Sequence, residues 1–183
     1  MYFQGILTVV EELDRETDSQ YTIRVIATDN PARKQESRSK SQDVVIFIQD
    51  VNDNHPTFNA PYEATVVETK GVDDLVLTVL ADDADDGVNG EVRYYFLNGT
   101  NPPGLFSIEE HSGDIRVNKS LIGKVGHHIL AVIAEDQGDP KLTGNTTINI
   151  TVNDVNLNNP VIGHIPENNT IKVYEVRTFD FLF

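Results

Sequence analysis

The chain has 183 residues, the length of one or two ordinary domains. Its 14 Lys and Arg against 29 Asp and Glu leave a net charge of -15 at pH 7, which argues against nucleic acid as a partner because phosphate binding needs a cationic surface. An apolar share of 39% supplies a core, and the absence of cysteine excludes disulfides, thiolate zinc sites and cysteine nucleophiles.

Met1-Tyr2-Phe3-Gln4-Gly5 lacks the basic start and apolar stretch of a secretion signal, and residues 2–5 resemble the remnant of a cleavable tag. The expectation is an excised piece whose anchor and signal, if any, lie elsewhere. Alternation then dominates. Tyr21–Ile26, Asp43–Ile48, Ala64–Val67, Leu75–Leu80, Ile129–Ile133 and Thr147–Val152 are short, β-branched and bounded by Gly, Pro, Asn or Asp, the pattern of half-buried strands. No segment of about a dozen residues places apolar positions at helical spacing behind a cap, so helices are expected to be few and short. Many short strands separated by turns predict an all-β sandwich or barrel.

An internal repeat sets the domain plan. Gly5 and Leu13 correspond to Gly113 and Leu121, Ala27-Thr-Asp29 to Ala134-Glu-Asp136, and Asp50-Val-Asn-Asp-Asn54 to Asp154-Val-Asn-Leu-Asn158, at spacings of 108, 107 and 104. This predicts the second half of a repeat over 1–54, a complete repeat over 55–158, and the start of a further repeat or of an atypical membrane-proximal domain over 159–183. A half sandwich exposes strand edges and core, so the first segment is expected to be poorly stable alone.

The acidic residues cluster at the ends of these repeats, in Asp14-Arg15-Glu16, Asp50–Asn54, Asp82–Gly90 and around Asp136. Carboxylates gathered without a counter-charge raise one another's pKa or push the segment apart. Calcium suits them, because it takes six to eight oxygen ligands at about 2.3–2.6 Å with flexible geometry. An EF-hand fits less well: counting from Asp83, glycine falls fifth rather than sixth and Tyr94 stands twelfth. A glycosidase acid–base pair needs a cleft and a raised pKa, which such crowded loops suit less well than a metal.

Leu13-Asp-Arg-Glu16, Ala27-Thr-Asp29, Asp50-Val-Asn-Asp-Asn54 with Pro56 and Phe58, Glu68, Asp83-Ala-Asp85 followed by Gly87 and Asn89-Gly90, and Asp136 stand in an order that resembles the cadherin extracellular repeat. The resemblance covers nearly the whole chain. It implies tandem Greek-key β-sandwiches of seven strands, immunoglobulin-like in architecture, joined end to end through calcium. It further implies that Asp14, Glu16 and Asp53, with the Val51 carbonyl, serve the two ions nearer the first repeat. Asp85 bridges toward a third ion held by Asn52, Asp83 and Asp136 and by the carbonyls of Asn54 and Asn89. The family's Glu on the first strand of the upper repeat has no counterpart here, and Asp29 matches a ligand of the joint above.

The second joint departs from the pattern. Leu121-Ile-Gly-Lys124 replaces Leu-Asp-Arg-Glu and Leu157 replaces Asp53, so three carboxylates are gone. Glu68, Asn156 and Asn158 remain, and the junction near 154–160 is expected to bind one ion or none.

Other features read more plainly. His127-His128 puts one ring on each face of a strand, a structural rather than a metal-binding arrangement. Arg33, Lys34, Arg38 and Lys40 form a small basic patch at a hairpin tip, best read as a solubilising surface. No hydrolase, zincin, phosphate-loop or dinucleotide motif occurs, so no enzyme is expected. N-glycosylation triplets stand at Asn98, Asn118, Asn145, Asn149 and Asn168, with Asn149 expected to face solvent. The expectation is a calcium-binding ectodomain piece of a cell-surface adhesion receptor with other cadherin molecules as partners, homophilic or heterophilic. No small-molecule substrate is expected, and membrane attachment only through a segment absent from this chain. Two alternatives stay open: a docking region for a heterologous ligand or a toxin, and a mechanical spacer. Strand exchange anchored by tryptophan is not available, since the chain has none.

Overall fold

The alternating segments fold as strands because their β-branched residues have one face to bury and one to leave in water. A computed structural model of the chain describes residues 5–29, 38–59, 61–101 and 104–156. It contains β1 (Gln20–Thr28), β2 (Ser39–Phe47), β3 (Thr57–Phe58), β4 (Tyr62–Val67), β5 (Leu75–Thr78), β6 (Ala81–Asp82), β7 (Arg93–Phe96), β8 (Phe106–Ile108), β9 (Asp114–Val117), β10 (Gly126–Glu135) and β11 (Thr143–Asn153). Among the described residues there is no helix.

From residue 57 onward the strands form a sandwich. One sheet has the order β4-β11-β10-β7, another β5-β9-β8, and β3 pairs with β6. Taking β3 with β4 and β5 with β6 as two interrupted strands reduces nine segments to seven, in accord with the seven-stranded expectation. The sandwich is not purely antiparallel, because β4 runs parallel to β11 from Tyr62↔Ile148 to Asn153↔Val67. That pairing continues one step further, as the Glu68 amide donates to the Asn153 carbonyl at 2.9 Å, and it delivers Glu68 to the lower end of the sheet.

The core follows from strand periodicity. Leu130, Val132 and Ala134 of β10, Ile148, Ile150 and Val152 of β11, and Ile115 and Val117 of β9 are buried together with Val79 and Leu121. Each fully buried aliphatic side chain of this size contributes about 1.5–3 kcal/mol. Tyr94 lies buried in the core with its hydroxyl accepting from the Ala81 amide at 2.9 Å, so its one polar atom is satisfied.

The strands β1 and β2 form an antiparallel hairpin in register from Gln20↔Phe47 to Thr28↔Ser39. Val25, Ile26, Val44, Val45 and Phe47 on this hairpin are exposed. Residues 30–37, including Arg33 and Lys34, and residues 157–183, including Leu157, Asn158 and Asn168, lie outside the described residues.

Two ends of the sandwich matter for function. The connections 83–92 and 136–142 lie at the end where the chain arrives through residues 50–56, and Asn52 reaches across to both Asp136 and the Pro140 carbonyl. Segments 68–74 and 118–125 lie at the other end, where Glu68 meets Gly123 and Val155.

Candidate metal centre

The acidic junction is built from loops, each held by its own backbone. Asp14 closes a turn: its carboxylate accepts from the Glu16 amide at 3.0 Å, the Thr17 amide at 3.3 Å and the Thr17 hydroxyl at 2.7 Å. The Thr17 hydrogen bonds hold the Asp14 carboxyl below its ordinary pKa. The Glu16 carboxylate pairs with Arg15 Nη2 at 2.6 Å. Glu16, Asp50 and Asp85 each offer an oxygen, all within 4.8 Å of one another.

Around this group the next loop closes in. The Asn54 amide and side-chain amide donate to the two oxygens of Asp85 at 3.1 and 2.7 Å, and Asp85 is buried. Asp50 accepts from the Asp86 amide at 3.1 Å and from Asn89 Nδ2 at 2.8 Å. Burial works to raise the Asp50 carboxyl, but Asn89, the Asp86 amide and Arg15 bring it below its ordinary value. Arg15 forms an ion pair with Asp50, its Nε facing Asp50 Oδ1 outside hydrogen-bond geometry. An open cleft of about 350 Å³, lined by Leu13, Asp14, Glu16, Val51 and Asp53 among others, leads in from the side of the first hairpin.

A second group lies deeper. Asp136 is 0% exposed and accepts from the Gly138 amide at 3.0 Å, the Leu142 amide at 2.9 Å and Asn52 Nδ2 at 3.2 Å. Asp83 accepts from the Asp85 amide at 3.0 Å. Its other oxygen, Oδ2, and the Oδ1 of Asn52 are buried with no hydrogen-bond partner. Burial raises the Asp83 carboxyl above its ordinary pKa; the Asp85 amide pulls it down, while the Asp85 and Asp136 carboxylates push it further up. Buried oxygens without donors, surrounded by negative charge, are unfavourable as they stand and suited to a hard cation. With no thiolate available and carboxylate and amide oxygens in excess, the donor set fits calcium rather than zinc.

Of the ten residues assigned by resemblance, the structure brings Asp14, Glu16, Asn52, Asp53, Asn54, Asp83, Asp85, Asn89 and Asp136 to one end of the sandwich along with the Val51 backbone. Asp53 is exposed and its carboxylate accepts from Asn54 Nδ2 at 3.0 Å. The resemblance assigned no ligand role to Asp50, whose carboxylate joins Glu16 and Asp85 in the upper group. Its position as the first acid of Asp50–Asn54 was the available signal. Asp29 caps the first hairpin, its amide donating to the Arg38 carbonyl at 2.9 Å and its carboxylate accepting from the Arg38 amide.

One expectation needs correction. Asn149 does lie on the outward face of β11, but it is half-buried with Oδ1 buried and unpartnered, because Glu63 of β4 and Ile129 of β10 stand beside it in register. Asn98, Asn118 and Asn145 are exposed, and Asn118 Nδ2 donates to the Gly104 carbonyl at 2.9 Å. The two histidines divide as expected: exposed His127 meets Thr151 Oγ1 at 3.1 Å, and His128 meets the Lys124 carbonyl at 2.7 Å and packs edge-on to Phe106.

At the lower end the Glu68 carboxylate is already engaged. It accepts from the Gly123 amide at 2.7 Å and the Val155 amide at 3.3 Å, and these hold its pKa down. Asp154 hydrogen-bonds to Glu68, which raises the Asp154 carboxyl.

The Cadherin domain family model matches residues 62–153, half of the chain and the whole sandwich from β4 to β11. The chain belongs to the cadherin family. Protocadherin Fat 4 of Mus musculus is 40% identical over 163 residues, covering 87% of this chain and 3% of that protein. Cadherin-23 of Homo sapiens is 36% identical over 172 residues, covering 91% of this chain and 5% of that protein. This cadherin chain therefore spans a small fraction of the relatives it matches. A solved structure of mouse Cadherin-23 EC22-24 superposes with a TM-score of 0.72 at 34% identity, covering 80% of this chain and 46% of that one.

In this cadherin sandwich Gly138 has a specific reason to lack a side chain. A Cβ there would lie 2.3 Å from the Asn52 side-chain carbon and amide nitrogen. Gly138→Ala is therefore expected to push Asn52 off Asp136 at a cost of about 1–2 kcal/mol in fold stability and, on the calcium reading proposed below, to weaken calcium binding by about tenfold or more. Calcium titration by calorimetry beside a thermal melt in chelator checks both numbers.

Proposed function

We propose that this chain is a piece of a calcium-binding ectodomain of a cell-surface adhesion cadherin, in which the junction around residues 50–56 is stiffened by calcium. The observation that carries this reading is the pair of buried, donorless oxygens, Asn52 Oδ1 and Asp83 Oδ2, set beside the fully buried Asp136. Bound calcium supplies positive charge and oxygen-coordination positions at that place.

The residues do the mechanical work. Asp14, Glu16, Asp50 and Asp53 belong to the arriving half-repeat and its linker, whereas Asp83, Asp85, Asn89 and Asp136 belong to the sandwich that follows. Asn52 and Asn54 lie between and hydrogen-bond into the sandwich. A cation shared by the two sets resists bending because any change of angle pulls oxygens from both sides out of contact. Without it, mutual repulsion of the carboxylates widens the range of angles. Residues 1–54 are on this reading the second half of one repeat, 55–158 a complete repeat, and 159–183 the start of a further repeat or of an atypical membrane-proximal domain. The place of action is the cell exterior, and adhesion to other cadherin molecules is the activity served.

The second junction differs. Glu68 is spent on the Gly123 and Val155 amides and on Asp154, so we expect one ion or none there. Calcium counting by titration tests this together with X-ray scattering in calcium and in chelator. The expected result is up to about three ions at the first junction and a longer, stiffer particle when they bind. Asp85→Ala should scatter in calcium as the parent does in chelator; indistinguishable curves for variant and parent in calcium would overturn the reading.

A further inference from the structure

Among the described residues, Arg15 is a cation that reaches into the acidic junction. Its guanidinium Nη2 donates to the Ala84 carbonyl at 2.8 Å, a contact between residues 69 apart in sequence that ties the arriving half-repeat to the sandwich below it. The same Nη2 lies 2.6 Å from Glu16 Oε1, and the Nε faces Asp50. Two of the three carboxylates in the upper group are thus engaged by one side chain that is itself only 18% exposed. Burial works against the charge on Arg15, and Asp50 and Glu16 outweigh it, so the group stays cationic. His55, another basic side chain bearing on the cluster, acts on Asp83 instead.

The internal repeat adds an independent observation. The spacing that sets Leu13 on Leu121 sets Arg15 on Gly123. At the second junction that position again donates to a junction carboxylate, through the Gly123 amide to Glu68 at 2.7 Å. A backbone amide cannot leave, whereas a guanidinium on a flexible stem can.

We propose that Arg15 is a tethered counter-ion of the first junction, closing it onto Ala84 when calcium is absent and competing with calcium for Glu16 and Asp50 when it is present. The proposal rests on the calcium reading above. The guanidinium offsets part of the negative charge that draws a dication and occupies oxygens the dication needs. Arg15 therefore lowers calcium affinity while limiting how far the calcium-free junction opens. It sets the calcium concentration at which the joint stiffens.

The test uses the full chain and two variants. Arg15→Gln removes the charge, and Arg15→Lys keeps it but loses the fork that reaches Asp50 through Nε and Glu16 and Ala84 through Nη2. Calorimetric titration with calcium chloride is expected to give Arg15→Gln about threefold or tighter affinity, with Arg15→Lys close to the parent. X-ray scattering in chelator is expected to give a broader range of junction angles for both variants, with thermal melts confirming that each is folded. A parent that binds calcium while Arg15→Gln binds it equally or more weakly overturns this inference alone. A parent that takes up no calcium overturns the calcium reading and the competition with it.

Discussion

Removing calcium with a chelator is expected to lower the melting temperature of this chain by roughly 10–20 °C, since a ligand at a hundred times its Kd stabilises by about 2.7 kcal/mol and each kcal/mol is worth about 4–8 °C in a domain of about a hundred residues. The direction follows from the deeper group. Asp83, Asp85 and Asp136 converge with Asn52 and Asp83 oxygens left without donors, so the calcium-free fold carries an uncompensated buried cost. Scanning calorimetry in millimolar calcium and in excess chelator measures the shift. A melting temperature that chelator leaves in place would mean that these oxygens hold no metal, and the calcium reading would fall with it.

Asp136→Ala is expected to have the largest effect of any single substitution, because Asp136 holds its own loop together and, on the proposed reading, also holds calcium. Its carboxylate is the acceptor for the Gly138 and Leu142 amides and for Asn52, all inside a 0% exposed site. Truncation strands these donors at about 1–3 kcal/mol each, so a loss of about 3 kcal/mol or more is expected even in chelator. Asp136→Asn keeps one acceptor oxygen and should lose less. Asp53→Ala supplies the contrast. Asp53 is exposed and accepts from Asn54 Nδ2, so its loss should leave the chelator melt within about 0.5–1 kcal/mol of the parent while reducing the gain from calcium. Equal losses for Asp53→Ala and Asp136→Ala in chelator would show that burial at 136 carries no structural load.

Much of this was legible along the chain because the relevant physics is local. Strands such as Thr147–Val152 announce themselves through β-branched alternation, and the observed β11 buries Ile148, Ile150 and Val152 as that pattern requires. Besides the two-residue segments β3 and β6, the strands missed were β7, β8 and β9, of three or four residues each. Segments so short carry too few alternations to read, and they are strands because β10, β9 and β5 pair with them. The acidic motifs were legible because ligand chemistry is written in residue type. Asp50 received no assigned role because its nearness to Glu16 and Asp85 depends on which way its carboxylate turns.

Residue order alone determined the all-β character, the repeat of about a hundred residues, the acidic clusters at repeat ends and the depletion of carboxylates at the second junction. Those properties reside in spacing and side-chain chemistry, which do not depend on contacts. Tertiary structure decided which oxygens are left without donors, that Asn149 is hemmed in by Glu63 and Ile129, that Glu68 is committed to backbone amides, and that Arg15 crosses to Ala84. Each of these depends on groups far apart in the chain meeting at a few ångströms in a partly water-excluded place, where hydrogen-bond geometry and desolvation set the energy.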